Sequence, residues 1–459
     1  MEKYAIVLAA GKGTRMKSKK ENCSKVSFPI LNKPLVNWVL DCLRPIGFSK
    51  LITVVGFGGE TTIELVKDES EVVWQKEQKG TGHAVMMTSA LLEDCEGETI
   101  VCCGDTPLLT TKSLQAMFNS HEANQNDLTV MTSILSNPRG YGRIVKENGR
   151  IIKIVEQKDA TEEEQAIKEI NAGVYIFNNK LLFKYLKEIK PNNAQGEYYL
   201  TDVLGIFVKD GLKVDSFVVR DFDETMGVND RYQLSIAAKK LQERINKEYM
   251  LSGVSIEDSE STFLSPDVEI GPDTIIKPNT YIYGTTKIGE NNIIGPGTYI
   301  NNCEIGDNNE IQFSHLTDTV VKNDAVLGPY LRCRNNVVIN DSVSLGNFNE
   351  LKNVEVGEGS KCAHLSYLGD ATIGKEVNIG CGTIIANFDG TNKHHSDIKD
   401  KAFIGSGTTI ISPVKIGEDS FIAAGSTINK DVEKEEFAIA RSRQENKPGY
   451  AKVLKGKSN

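Results

Sequence analysis

Isoleucine recurs at every sixth residue through long stretches of the second half of this chain. Ile270, Ile276, Ile282, Ile288, Ile294 and Ile300 make one run, and Ile404, Ile410, Ile416, Ile422 and Ile428 make another. Val321, Leu327, Cys333, Ile339, Leu345 and Leu351 keep the same step between them, as do Ile373, Ile379 and Ile385. A period of six fits neither an α-helix nor a simple alternating strand. It fits a hexapeptide solenoid, in which each unit forms one short side and turns a corner. The aliphatic side chain then points inward and stacks on its equivalent one coil away. Three sides make a coil, so the spacing predicts Ile270 beneath Ile288 at roughly 4.8 Å. Many of these units carry Gly directly after the aliphatic residue, which suits a tight corner.

The first half reads differently. Apolar runs at Tyr4–Leu8, Leu51–Val55, Thr99–Cys103, Leu128–Leu135, Ile170–Phe177 and Val214–Val219 predict strands. Helical patterns at Leu35–Leu43, His83–Leu92, Ser113–His121 and Tyr198–Val208 alternate with them. Such alternation predicts a mixed, mostly parallel sheet covered on both faces, a Rossmann-like α/β domain. The expected organisation is an α/β domain over residues 1–229, a charged connector helix over 230–250, a solenoid over 251–437 and a basic tail over 438–459. A polar stretch, NFDGTNKHHSD, interrupts the solenoid between Ile385 and Ile398 and reads as an insertion of about two units.

Charge and composition narrow the function. The net charge is −9, which argues against a nucleic-acid or anionic-membrane partner. No apolar stretch reaches the roughly 18 to 20 residues of a membrane span, and no secretory leader is evident. Nine cysteines are scattered without a CxxC pair, so a reducing cytoplasm is expected. Two segments are locally basic. Lys12, Arg15, Lys17, Lys19, Lys20 and Lys25 stand against Glu21, and Arg441, Arg443, Lys447, Lys452, Lys455 and Lys457 against Glu445. Together they suggest two places that hold small anions.

The first strand runs into LAAGKGTRM, with Gly11 and Gly13 directly after it. Small residues there let backbone N–H groups approach a phosphate. The loop is neither a dinucleotide fingerprint, since position 16 is Met, nor a Walker A loop, since Thr14-Arg15 follows Gly13. Leu8–Met16 with Lys25, Gln75 followed by GTGHA (Gly80–Ala84), the strand TIVCCGD ending in Asp105, GYGRI (Gly140–Ile144), Glu156, EINAG (Glu169–Gly173), NAQGEYYLTD (Asn193–Asp202) and GVND (Gly227–Asp230) together resemble the sugar-1-phosphate nucleotidyltransferases. With the hexapeptide part behind it, residues 3 to about 443 resemble the bifunctional family that joins N-acetylglucosamine-1-phosphate uridylyltransferase to glucosamine-1-phosphate acetyltransferase.

That resemblance implies two reactions. Acetyl-CoA acetylates glucosamine-1-phosphate, and UTP then couples to the product with release of pyrophosphate, supplying cell-wall and lipopolysaccharide precursors. It implies Asp105 and Asn229 as ligands of one Mg²⁺, with Arg15 and Lys25 on the phosphates. Leu8, Ala9, Ala10 and Gly11 would line the nucleotide, Gln75, Gly80 and Thr81 would read uracil, and Gly142, Glu156 and Asn171 would hold the sugar. In the solenoid, KCAHLSYLGD (Lys361–Asp370) supplies His364 as general base and Tyr367. Arg334, Lys352, Tyr367 and Asn378 would bind glucosamine-1-phosphate, and Cys381, Asn387, Phe388, Ser406, Ala424 and Arg441 acetyl-CoA. The family also implies a left-handed β-helix and a homotrimer. Ser24 stands where the family has Pro, so a less rigid loop is expected before Lys25. Cys103, Cys381 and Phe388 also depart from the usual residues.

Bland readings stand beside these. His83 reads as structural, His394 and His395 as exposed loop residues or subunit contacts, and Asp221, Asp223 and Glu224 as a solvated acidic loop. The alternative to two activities is a single-activity nucleotidyltransferase whose β-helix is structural or regulatory. His364, Tyr367, Lys352, Arg334 and NFDG occurring together count against it.

Overall fold

Strand Lys3–Ala9 sends alternate side chains into two apolar layers. Tyr4 and Ile6 join Ile52, Val54, Val101 and Phe207 on one face. Ala5, Val7 and Ala9 join Val36, Leu40, Ile100 and Phe118 on the other. Burial on both faces is what makes such a strand nearly all apolar, and it marks the centre of a covered sheet. The computed structural model describes residues 1–20 and 22–456, so Glu21 and Lys457 lie outside the described residues. The chain divides into two compact units, Met1–Leu241 and Gln242–Asn459.

In the first unit the strand order is Val214–Val218, Leu128–Ile134, Glu169–Asn178, Glu98–Cys103, Lys3–Ala9, Lys50–Val55 and Glu71–Trp74. Neighbours run parallel except Glu169–Asn178, which is antiparallel to both strands beside it. All six strands expected from apolar runs are present, and all four helical patterns hold helix. Three helices of this unit, Gly59–Val66, Glu162–Gln165 and Asn179–Leu186, were not foreseen. Nor were the edge strand Glu71–Trp74 and the hairpin of Arg143–Glu147 with Arg150–Val155. These strands are short, or carry charge at alternate positions, because one face meets solvent. The C-terminal ends of the central strands Lys3–Ala9 and Glu98–Cys103 open onto the glycine loop and Asp105, the edge where parallel α/β sheets bind ligands.

A 21-residue helix, Arg231–Leu251, spans the boundary between the units. In the second unit Gln242 Nε2 donates to the carbonyls of Ser259, Glu260 and Thr262, and Asn246 Nδ2 to those of Ser259 and Thr262. The helix thus satisfies backbone acceptors at the first coil, which has no preceding coil to bond to.

The rest of the second unit is a parallel β-helix. Ile270 pairs with Ile288, Ile276 with Ile294 and Ile282 with Ile300, each partner 18 residues on. The register then shortens: Ile288 pairs with Ile305, Ile294 with Ile311 and Ile300 with Leu316. Corners there drop a residue, which is why the six-residue ladder breaks after Ile300 although the core continues. Asn and Asp occupy many left-handed corners (Asn279, Asn291, Asn302, Asn308, Asp324), since their short side chains tolerate positive φ. Buried Asn292 and Asn309 form a ladder: Asn309 donates to Asn292 Oδ1, and Asn309 Oδ1 accepts from Ala325 N. Each fully buried isoleucine contributes roughly 1.5–3 kcal/mol of burial. The insertion is smaller than expected. Ile373 pairs with Ile398, 25 residues on instead of 18, so it adds one unit of seven residues and not two. None of the nine cysteines is joined in a disulfide. Among the described residues no helix is long and apolar enough to cross a membrane.

Candidate functional sites in the two units

The C-terminal edge of the α/β sheet holds two adjoining cavities. The larger, about 420 Å³, is lined by Leu8, Ala9, Ala10, Gly11, Lys25, Gln75, Gly80, Thr81 and Asp105. The second, about 380 Å³, is lined by Arg15, Asp105, Arg139, Tyr141, Gly142, Glu156, Asn171 and Asn229. Asp105 and Cys103 face both. Every N-terminal residue to which the resemblance gives a binding role therefore lines one of the two adjoining cavities. The split is informative: Arg15 belongs to the second cavity, where its Nη2 donates to Asn229 Oδ1 at 2.7 Å.

Lys25 is the hub. Its Nζ pairs with Asp105 Oδ2 and donates to Asn229 Oδ1 at 3.2 Å. Gly13 has φ 58°, and a Cβ there would lie 2.6 Å from the Lys25 Cβ, so the loop can close over Lys25 only with glycine. The loop before Lys25 is pinned, contrary to expectation. Ser24 is fully buried, its hydroxyl 2.7 Å from Thr62 Oγ1, and its carbonyl accepts from Ser27 Oγ at 2.8 Å. A hydrogen bond here does the work of a proline ring. Burial pushes the Cys103 thiol up to about 12, so it stays protonated as an inert part of the shared wall.

Gln75 is 3% exposed and its amide is oriented. Nε2 donates to the Gly80 carbonyl at 3.0 Å and lies 3.0 Å from His83 Nδ1. Burial lowers the His83 pKa, so the neutral ring accepts from this amide. Both amide hydrogens are thereby engaged, and Oε1 is the atom left to accept a hydrogen bond from a ligand. His83, read from the sequence as structural, acts on the site through Gln75. Gly80 has φ 105°, and a Cβ would meet the Tyr198 carbonyl at 2.5 Å. Gly82 N donates to that same carbonyl at 2.8 Å, and Leu200 N donates to Thr81 Oγ1 at 3.1 Å. The NAQGEYYLTD segment is the clamp that shapes GTGHA.

In the second cavity burial raises the Glu156 pKa, with Asp159 and Asp202 adding to it. Asn171 Nδ2 donates to Tyr175 Oη at 2.7 Å, and its Oδ1 accepts from Gly173 N at 3.0 Å. Asn229 is held from behind, where its N donates to Gln233 Oε1 at 2.8 Å. Glu224 corrects the solvated-loop expectation. It is 7% exposed and accepts from Thr110 Oγ1 and Ser113 Oγ, each at 2.9 Å. Asp221 caps its own turn by accepting from Asp223 N, and Asp223 pairs with Lys240 at 2.8 Å.

The solenoid builds its candidate site by register. Arg334 pairs with Lys352 and Lys352 with Gly369, while Glu350 pairs with Tyr367, so Arg334, Lys352 and Tyr367 share one side of successive coils. Arg334 donates to Glu350 Oε1 from Nε at 3.1 Å and Nη2 at 2.8 Å. Lys393, a residue of the insertion that the sequence did not flag, lies against Lys352. Together with burial and Arg334 it lowers the Lys352 pKa. Crowded cations of this kind mark a place for an anion. His364 is exposed, and its Nδ1 lies 3.1 Å from Asn347 Oδ1 in the coil above. Asn347 was also missed. A carbonyl-type oxygen on Nδ1 fixes that nitrogen as N–H and leaves Nε2 free to accept a proton.

A second column runs down from this corner through backbone bonds. Gly382 N donates to Leu365 O, Gly407 N to Cys381 O, and Gly425 N to Ser406 O. Arg441 Nη1 closes it on Ala424 O at 2.7 Å. Leu365, Cys381, Ser406, Ala424 and Arg441 are thus stacked, and four coil spacings give a length of about 19 Å. Three expected residues lie off this column. Asn378 opens a strand of the eleven-stranded sheet, not the side that carries Arg334 and Lys352. Asn387 is buried beside Tyr367, with Nδ2 3.4 Å from its Oη. Phe388 is exposed and bridges to Lys393 within the insertion. In that loop His394 Nε2 lies 2.7 Å from Asp389 Oδ2, and His395 Nε2 lies 3.0 Å from Thr372 Oγ1. No cluster of three or more His, Cys, Asp or Glu suited to a metal occurs among the described residues.

Comparison with known proteins agrees with this two-part geometry. Residues 4–232 match the nucleotidyl transferase family, and residues 267–302 and 395–430 match the bacterial transferase hexapeptide family of six repeats. The bifunctional protein GlmU of Geobacillus sp. is 47% identical over 460 residues, covering 100% of both chains. Its counterpart in Exiguobacterium sp. is 48% identical over 453 residues, covering 98% of this chain and 100% of its own. That of Streptococcus thermophilus is 46% identical over 452 residues, covering 98% of each.

The chain belongs to the GlmU family. As a GlmU-family protein it is a transferase, with a nucleotidyltransferase unit followed by a left-handed parallel β-helix of hexapeptide repeats. The two cavities and the two columns are the places in this GlmU-type chain where its chemistry has to be sought.

Proposed function

We propose that the chain makes UDP-N-acetylglucosamine in two separate sites. The β-helix transfers an acetyl group from acetyl-CoA to glucosamine-1-phosphate, and the α/β unit couples the resulting N-acetylglucosamine-1-phosphate to UTP. The observation that carries this reading is the pair of unrelated constellations in one chain: Lys25, Asp105 and Asn229 converging between two cavities, and His364 standing at the head of a column that ends at Arg441.

In uridylyl transfer an oxygen of the sugar phosphate attacks the α-phosphorus of UTP, and pyrophosphate leaves. Such transfer relies on positioning and charge neutralisation. Gln75 Oε1 accepts the N3–H of uracil, which cytosine lacks. The larger cavity takes the nucleotide, the second takes the sugar, and Asp105 lies at their junction. A carboxylate oxygen of Asp105 and the amide oxygen of Asn229 already converge on one cation, the Lys25 ammonium. Two hard oxygen donors beside a phosphate cavity fit Mg²⁺, which keeps its remaining positions for waters and substrate oxygens. When bound there, the ion neutralises charge on the phosphates; Lys25 and Arg15 supply the protein's own positive charge beside it. Glu156, whose pKa burial raises, hydrogen-bonds the sugar hydroxyls from the far wall.

In acetyl transfer the Arg334, Lys352 and Lys393 cations hold the sugar phosphate. The amine attacks the thioester carbonyl, His364 Nε2 takes the amine proton, and CoA leaves as a thiolate that receives it. The column of about 19 Å from Leu365 to Arg441 matches the reach of a pantetheine arm. Backbone groups of Cys381 and Ser406 and the Ala424 corner line the arm, and Arg441 with the basic tail meets the phosphates of the coenzyme. Asn378 stands on the same side of the prism as the strand that ends in His364, and the hexapeptide repeats support a homotrimer in which a neighbouring β-helix completes the site. The domain plan of residues 1–229, 230–250, 251–437 and 438–459, and a cytoplasmic location, belong to the same proposal. Incubation with UTP, Mg²⁺, acetyl-CoA and glucosamine-1-phosphate tests it. Free thiol should appear first and pyrophosphate only afterwards; pyrophosphate without thiol would leave a single-activity nucleotidyltransferase.

A further inference from the structure

Asp370 was quoted from the sequence only as the end of a motif, and neither proposed reaction uses it. It is 8% exposed, so its carboxylate needs partners. Each oxygen has one: Oδ1 accepts from Asn353 Nδ2 at 2.7 Å, and Oδ2 from Asn387 Nδ2. The same Asn387 amide lies 3.4 Å from Tyr367 Oη. Asp370 is also the carboxylate that partly offsets the cations crowding Lys352. One buried group thus touches the asparagine, the tyrosine through it, and the charge balance of the anion site.

We propose that Asp370 is the positioning residue of the acetyl-transfer site, holding Asn387 and, through it, Tyr367 in the geometry that meets the substrates. The inference rests on the acetyl-transfer reading above. Two acceptor oxygens are what the arrangement requires. A glycine at 370 removes both acceptors and keeps the left-handed backbone there (φ 50°), so both facing amides lose their bond. Asn387 is then free to turn from Tyr367.

The test is a double-mutant cycle on the full chain, read as kcat and KM for thiol release. Asp370→Gly and Asn387→Ala should each lower kcat/KM about tenfold or more, and the double variant should be no worse than the poorer single one. Asn353→Ala, which frees only the other carboxylate oxygen, should keep kcat/KM within about twofold, although it too removes a buried hydrogen bond. Equal losses in Asp370→Gly and Asn353→Ala, additive losses in the double variant, or wild-type values in Asp370→Gly would each overturn the inference. If the unaltered protein released no thiol from acetyl-CoA, the acetyl-transfer reading itself would fall; that outcome is distinct from a working enzyme indifferent to Asp370.

Discussion

The two units assemble their sites by opposite means. In the α/β unit, Lys25, Asp105 and Asn229 are scattered through more than 200 residues of chain and meet because loops converge at one sheet edge. In the β-helix, Arg334, Lys352 and Tyr367 meet because the coil brings residues 17 or 18 apart into register. A converging site depends on each loop being held from behind, as Ser24 by Thr62 and GTGHA by Tyr198. A register site depends on the ladder itself. Damage to one loop should therefore remove a function without unfolding the unit, whereas damage to the ladder should cost stability first.

The largest expected effect lies at the hub. Lys25→Met should slow pyrophosphate release by about 10²–10³-fold and leave thiol release unchanged, because it removes one preorganised charge. Assaying both products in one sample tests this, and a fall in thiol release would break the separation of the units. In the ladder, Ile404→Ala should destabilise the β-helix by about 2–5 kcal/mol, since Ile404 is fully buried between its partners Ile379 and Ile422. Denaturant titration should place the loss in the β-helix transition, with pyrophosphate release kept at 25 °C.

The pH dependence of the α/β unit should follow His121. Burial holds this histidine down to about 4, against an ordinary value near 6.5, and its Nδ1 lies 2.8 Å from Thr129 Oγ1. The folded state binds the proton less readily than the unfolded state. The stability it contributes is therefore present above pH 6.5 and drains away as pH falls toward 4, by up to about 3 kcal/mol. Glu98 packs beside it and works the other way, since burial raises its pKa and its protonation favours the fold at the acid end. His121→Gln should flatten the fall between pH 6.5 and 5, measured by urea midpoints; an unchanged slope would remove His121 as its source. The smallest effect belongs to His83→Phe. Without its ring acceptor the Gln75 amide can turn over, and preference for UTP over CTP should drop by about tenfold, a hydrogen-bond-sized change, read from competing nucleotides.

Legibility also differed between the units. The fold of the α/β part could be read from its central strands, because burial on both faces leaves apolar runs; edge elements such as Glu71–Trp74 and Arg143–Glu147 carry no such signature. The β-helix could be read from isoleucine spacing except where its corners lost residues, as near Ile305; there period six slips out of phase while the stacking persists, and it resumes from Val321. Individual site residues were readable where a motif carried them. Those acting through another side chain were not: His83 behind Gln75, Asn347 behind His364, Lys393 against Lys352 and Asp370 behind Asn387. Their partners lie across a turn or a coil, and no pattern along the chain records which side chain faces which.

The account stands most directly on the independence of the two sites. Thiol and pyrophosphate should be followed, with UTP, Mg²⁺ and acetyl-CoA present, in His364→Ala supplied with both N-acetylglucosamine-1-phosphate and glucosamine-1-phosphate, and in Asp105→Ala supplied with glucosamine-1-phosphate. The first variant should release pyrophosphate at the unaltered rate and almost no thiol, and the second should do the reverse. Loss of both products in either folded variant would contradict it.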